Sequence, residues 1–217
     1  MLCYEVRMKA GIAALLAAFA FPIAASAAKP TQTKWVDRHD GFSVILPNKW
    51  HAVPRTVAAV QRTVADLKRQ KKTALANEYS FYLTAAGKAQ LKAFAFQAFL
   101  DIAPSRDPIA PQFAVQITKG SKPYTTADLA RAGQAYASSL AQHKGSKISV
   151  PKRISLPAGP AQFVTGTVPA APGLADGFEL YLLVHKGKLY ALKFDIDARV
   201  LAQAKVFRSI ATHFAWT

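Results

Sequence analysis

The sequence predicts an α+β fold built on a mainly antiparallel sheet, and three observations carry that expectation. The apolar patterns run strand, helix, several strands, helix, strands, helix, an uneven order that does not repeat as βαβ units. Lys186-Gly187-Lys188 separates two alternating apolar runs, residues 178–185 and 189–196, as a tight hairpin turn. Residues 92–102 are apolar on both faces of an alternating pattern, as expected of a strand covered on both sides.

The chain opens with Arg7 and Lys9, an almost uncharged run over residues 12–23 and the small-residue series Ala24-Ala25-Ser26-Ala27-Ala28. This is the pattern of a secretory signal peptide, residues 1–28, with cleavage expected after Ala25-Ser26-Ala27. A membrane anchor is the weaker reading, because the apolar run is ~12 residues and a span needs about 20. Met8-Lys9 makes a more ordinary start for such a segment than Met1. Localisation in the periplasm or outside the cell follows. Residues 29–40, polar and containing Pro30, read as a flexible leader, and residues 41–217 as one domain of a size that buries a full core.

Each element has its own signal. Gly41-Phe42-Ser43-Val44-Ile45-Leu46-Pro47 reads as a strand closed by a proline that cannot donate to a ladder, with Asn48-Lys49-Trp50 as the turn. Val57, Val60, Val64, Leu67 and Leu75 recur near helical spacing and predict one amphipathic helix over residues 55–76. Residues 113–117 form the neighbour of strand 92–102 across a Pro104–Pro111 loop. Thr125-Thr126-Ala127-Asp128 is a variant capping box for a helix with Leu129, Ala132, Tyr136 and Leu140 on its buried stripe, ending at Gly145. Residues 148–156 and 161–168 read as strands. Asp197 is placed to cap a last helix carrying Val200, Ala204, Phe207, Ile210 and Phe214 along one side.

Charge bounds function. The chain carries 28 Lys and Arg against 12 Asp and Glu, a formal net of +16. Loss of the signal removes Arg7, Lys9 and Glu5 and leaves about +15, a field that steers anionic partners toward the surface. The one cysteine, Cys3, precedes the apolar run, so the exported part has no thiol chemistry, disulfide or cysteine metal site. There is no Gly-x-Ser-x-Gly elbow, His-Glu-x-x-His pair or Gly-x-x-x-x-Gly-Lys-Ser/Thr loop. His39, His51, His143, His185 and His213 stand apart, and neither a metal nor a cofactor is implied.

Four groups of residues are candidates. Arg62, Lys68, Arg69, Lys71 and Lys72 read either as a solvated helix end that suits the helix dipole or as an anion-facing patch. Asp37, Arg38, His39 and Asp40 form a compact titratable cluster that a turn before the first strand also explains. Asp195 and Asp197 share a strand face and offer oxygen ligands for a hard cation, or Asp197 serves as a cap. Glu179, Tyr181 and His185 alternate along the first hairpin strand. With Lys193 on its partner they read either as a polar stripe beside a ligand groove between sheet and helix, or as strand-end charges and core aromatics.

Residues 41–50, of the form Gly-Phe-Ser-hydrophobic-Pro-x-x-Trp, resemble the opening of the PsbP-like superfamily. The Gly187–Phe194 strand, with Phe207-Arg208-Ser209-Ile210-Ala211-Thr212-His213-Phe214 after it, is similar to that family's final hairpin and its Phe-x-x-Ile-x-x-Ser-Phe ending, with Thr212-His213 in place of the usual residues before the last phenylalanine. The resemblance spans roughly residues 35–217. It implies an antiparallel sheet sandwiched by helices on both faces and proteins that act by docking without catalysis, and it transfers no residue role. Nucleic acid is disfavoured as a partner by export and by the absence of a nucleic-acid motif. The expectation is an exported, non-enzymatic binding or assembly protein. It docks on an envelope protein or an anionic lipid or glycan surface through Arg62, Lys68, Arg69, Lys71 and Lys72. The alternatives are a small-ligand carrier using the sheet–helix groove and, third, an enzyme using the Asp37 to Asp40 cluster.

Overall fold

In the computed structural model, which describes residues 32–100, 111–171, 173–199 and 204–217, the chain builds two sheets. The larger runs in the order β3 (Trp50–Ala52), β4 (Phe96–Leu100), β5 (Gln112–Lys119), β10 (Lys188–Asp197), β9 (Leu174–His185), β8 (Gly159–Ala171) and β6 (Lys147–Ile148). Strand β7 (Lys152–Leu156) also pairs with β8. The smaller sheet is β1 (Gln32–Asp37), β2 (Phe42–Pro47) and β11 (Ala215–Trp216). All these pairings are antiparallel.

Strand alternation divides the large sheet into two unlike faces. On one, Tyr190, Leu192, Phe194 and Ile196 of β10 join Phe113 and Val115 of β5 in a core covered by β2 and by α5 (Ala204–Thr212). Phe113 stacks on Phe194 at 4.6 Å, and Phe194 meets Phe207 of α5 at 4.9 Å. On the other face lie two separate clusters. Leu129 and Ala137 of α4 (Leu129–Ala141) cover Leu180, Leu182, Leu189 and Ala191. Val60, Val64 and Leu67 of α1 (Val57–Arg69), with Leu75 and Tyr79 of α2 (Thr73–Phe81), cover Phe99. Helix α3 (Ala85–Ala93) follows. It passes so close to the end of α2 that a Cβ on Gly87 would lie 2.2 Å from the Phe81 carbonyl oxygen. Helices thus flank both faces of a mainly antiparallel sheet, as the sequence predicts, with the three-stranded sheet added on the α5 side.

The capping box at Thr125 and Asp128 forms, within a 3-10 turn that opens α4. Other expectations need correction. The single helix over residues 55–76 is two, because α1 closes on itself at its C-terminus. Lys72 N–H donates to the Leu67 carbonyl and Lys71 N–H to that of Lys68, with Lys71 left-handed at φ +59°. Lys92 and Ala93 end α3, so the two-faced strand starts only at Phe96. The run 148–156 breaks between β6 and β7 at Ser149, Val150 and Pro151. Asp197 is the last residue of β10, and residues 200–203, where the helix it is expected to cap would begin, lie outside the described residues. Its carboxylate accepts from the backbone and guanidinium of Arg199, while α5 begins at Ala204 among the described residues. Residues 32–37, within the stretch read as leader, pair in register with β2. Their side chains are mostly exposed, which is why their pattern is polar. The expected signal segment, the 104–111 loop except Pro111 and the Val200 position lie outside the described residues.

Candidate functional site

The β9–β10 hairpin decides which side chains meet. Lys188 pairs with His185, so the turn is the two residues Lys186 and Gly187, both at positive φ. Counting Lys188 into the turn places Lys193 opposite Tyr181. The observed register places Lys193 opposite Leu180 and Leu192 opposite Tyr181. A shift of one residue reverses the face. Glu179, Tyr181 and His185 do share one face, as the sequence predicts, but Lys193 lies on the other, and the four residues do not form one stripe.

On the small-sheet side, Tyr181 Oη donates to Glu179 Oε2 at 2.7 Å. Burial is the main cause that raises the Glu179 carboxyl and, ahead of the neighbouring carboxylate, the Tyr181 phenol. His185 stacks on Trp216 of β11 at 4.1 Å with the rings nearly parallel, and burial lowers its pKa. Tyr181 belongs to the core beneath the smaller sheet and His185 stacks against that sheet's β11, whereas Glu179 also lines the groove beside Lys193.

Lys193 opens instead onto a groove of about 270 Å³ where α4 and the end of α3 leave the sheet uncovered. Its ammonium sits 5.6 Å from the ring centres of both Phe94 and Tyr136. Two residues along β10, Asp195 lines the same groove, and Asp176 lines it from β9. Burial pushes the Asp195 carboxyl up to about 6, with Lys193 opposing and Asp176 adding to the shift. Burial, then the charge of Asp197, raises Asp176, and burial lowers Lys193. Asp195 and Asp197 do point to one side, but Asp197 is taken by Arg199, so the pair is not a cation site. Among the described residues no group of three or more His, Cys, Asp or Glu side chains is arranged to hold a metal ion.

The basic residues of α1 are all exposed. Arg62 and Arg69, seven apart, share a helix face, whereas Lys68 sits about 100° round the axis from Arg69. Lys71 and Lys72 lie in the turn beyond. Arg69 is paired with Asp66. The other four carry no ion pair among the described residues. Asp37 and Asp40 are used structurally. The Asp37 carboxylate accepts from the His39 and Asp40 amides at 3.0 Å, and the Arg55 guanidinium bridges Asp37, Asp40 and the Ala95 carbonyl.

Sequence reasoning missed a second cationic array. Lys119 stands directly opposite Lys188, Lys186 occupies the hairpin turn, and Lys122 lies in the loop whose Tyr124 amide donates to the Gly187 carbonyl. Like charges facing across strands are unfavourable. The two runs Lys119-Gly-Ser-Lys122 and Lys186-Gly-Lys188 were visible, but only strand pairing brings them together. Phe94, Tyr136 and Asp176 were likewise missed as groove residues, because they come from three separate elements.

No protein family and no curated protein matches the chain by sequence. Solved structures do match its backbone. The cyanobacterial PsbP protein CyanoP of Synechocystis sp. PCC 6803 superposes with a TM-score of 0.52 at 12% identity, over 88% of this chain and 96% of that one. The fold is PsbP-like. LpqN of Mycobacterium tuberculosis, a protein involved in cell envelope biogenesis, gives 0.51 at 13% identity over 86% of this chain and 90% of its own. At such identities the likeness concerns the frame, and the groove and lysine arrays are read from this chain's PsbP-like structure alone. Among the described residues no helix is long and apolar enough to cross a membrane.

Proposed function

We propose that this protein is an exported, non-enzymatic binding protein of the cell envelope that docks on an anionic partner through its lysine and arginine surfaces. The observation that carries the reading is the placement of the cations. Arg62, Lys68, Lys71 and Lys72 are exposed with no carboxylate partner among the described residues, and Lys119 faces Lys188 across a strand pair. A chain of net +16 that holds like charges in register keeps that field for something negative. The envelope role of LpqN, a protein of the same fold, is in keeping with this reading. The segment before residue 29 supports export.

Co-sedimentation with phosphatidylglycerol vesicles tests it, because each basic residue near such a surface contributes about 1 kcal/mol. The protein should sediment at low salt and be released as salt rises. Reversing Arg62, Lys68, Lys71 and Lys72 together should weaken retention at least tenfold. Unchanged retention of that variant, and unchanged capture of envelope proteins by crosslinking in intact cells, would remove α1 as the docking face. Full-length, untrimmed protein in the cytosol would remove export. A second reading, a small-ligand carrier, is favoured by the groove beside Lys193.

A further inference from the structure

The groove between α3 and α4 inverts the charge of the rest of the molecule. Asp37, Asp40, Asp66, Asp128 and Asp197 each have an arginine partner. Asp176 and Asp195 have neither an ion pair nor a hydrogen bond among the described residues, although 28 cations are available in the chain. Both are half-buried, and both line one cavity with Lys193. A desolvated carboxylate without a partner is costly. The cost is offset when a bound group brings the missing cation.

Lys193 presents the opposite problem in the same space. Its stem rises from the floor and its ammonium is held between the Phe94 and Tyr136 rings, with its hydrogens satisfied by no described acceptor. It stands about 7 Å along the strand from Asp195, the rise of two residues. A simple amine would gain from the carboxylates and be opposed by Lys193. A fatty acid would gain from Lys193 and be opposed by the carboxylates. Only a molecule carrying both charges satisfies the whole groove. Glu179 also lines the groove, but its carboxylate is engaged by the Tyr181 hydroxyl. The rest of the lining, including Leu140, Val168 and Phe178, is largely apolar, and about 270 Å³ is small for a ligand pocket.

Resting on the carrier reading, we infer that this groove binds a small zwitterion with an apolar body, of the α-amino-acid or short-peptide class. Its ammonium lies toward Asp195 and Asp176, its carboxylate toward Lys193, and its side chain among Tyr136, Leu140 and Phe178. Asp176 and Asp195 have no ion pair or hydrogen bond among the described residues, and the Lys193 ammonium has only the two ring faces, so all three can turn to such a guest.

Calorimetric and amide-shift titrations with three matched probes test this: L-phenylalanine, phenethylamine, which lacks the carboxylate, and 3-phenylpropionate, which lacks the ammonium. Phenylalanine should bind at least tenfold more tightly than either, with shifts centred on residues 136, 178 and 193. Lys193→Met should abolish the preference over phenethylamine, and Asp195→Asn the preference over 3-phenylpropionate, while Lys193→Arg retains both. Thermal melts of each variant establish that it is folded. Equal affinity for the three probes, or preferences that survive both variants, would overturn the inference. So would no binding of any probe by a protein that still yields a co-purified ligand in native mass spectrometry, and in that case the carrier reading stands. No binding and no co-purified ligand would sink both.

Discussion

The two faces of strand β10 received opposite treatment from the same backbone. On one, Leu192 and Phe194 are fully buried under β2 and α5, ring against ring with Phe113 and Phe207. On the other, one residue along, Lys193 and Asp195 stand half-exposed where the covering helices fail to meet. The first face is closed by a sheet and a helix that span the centre of the strands. The second is covered from its two ends, by α4 over β8 to β10 and by α1 and α2 over β3 and β4. Stability is concentrated on the closed side, which leaves the open side free to carry groups that a packed core would reject.

Substitutions along β10 put numbers on this contrast. Phe194→Ala removes a wholly buried ring from the closed face and should cost about 3–5 kcal/mol in urea unfolding. A loss below about 1.5 kcal/mol would mean that the face is not the main core. Asp195→Asn should act in the other direction and depend on pH. The folded carboxyl is raised to about 6 from an ordinary value of 3.8, so the native state retains a proton that the unfolded chain releases. Its contribution is present below pH 3.8 and lost as pH rises through 6. The variant should therefore be more stable than the parent by up to about 3 kcal/mol at pH 7.5 and indistinguishable from it near pH 3.5. Equal effects at both values would show that burial does not govern this carboxyl. Lys193→Met, which keeps the apolar stem between the rings, should stay within about 0.5 kcal/mol of the parent. A large loss there would erase the distinction between the faces.

The closed side was far more legible in the sequence than the open one. Phe113, Phe207 and Ile210 sit on periodic apolar patterns, and the Thr125–Asp128 box names its own helix start. Periodicity reports that a residue is buried, and those residues are. The open side depends on register and on gaps, which no local pattern contains. Counting Lys188 as turn or strand shifts the pairing by one and moves Lys193 from one face to the other. The break at Lys71 was hidden for a related reason: glycine usually marks such a cap, and here a lysine takes the left-handed conformation.

Consider last the way β2 is held. Phe42 pairs with Trp216, Thr217 N–H donates to the Gly41 carbonyl, and Tyr190 Oη reaches the carbonyl of Asp40. The earliest core strand thus waits for partners encoded some 150 or more positions later. During synthesis its apolar face has nothing to close against, and contacts of such long range form slowly. A polypeptide built in this way keeps its first core strand unclosed for an extended interval after it emerges.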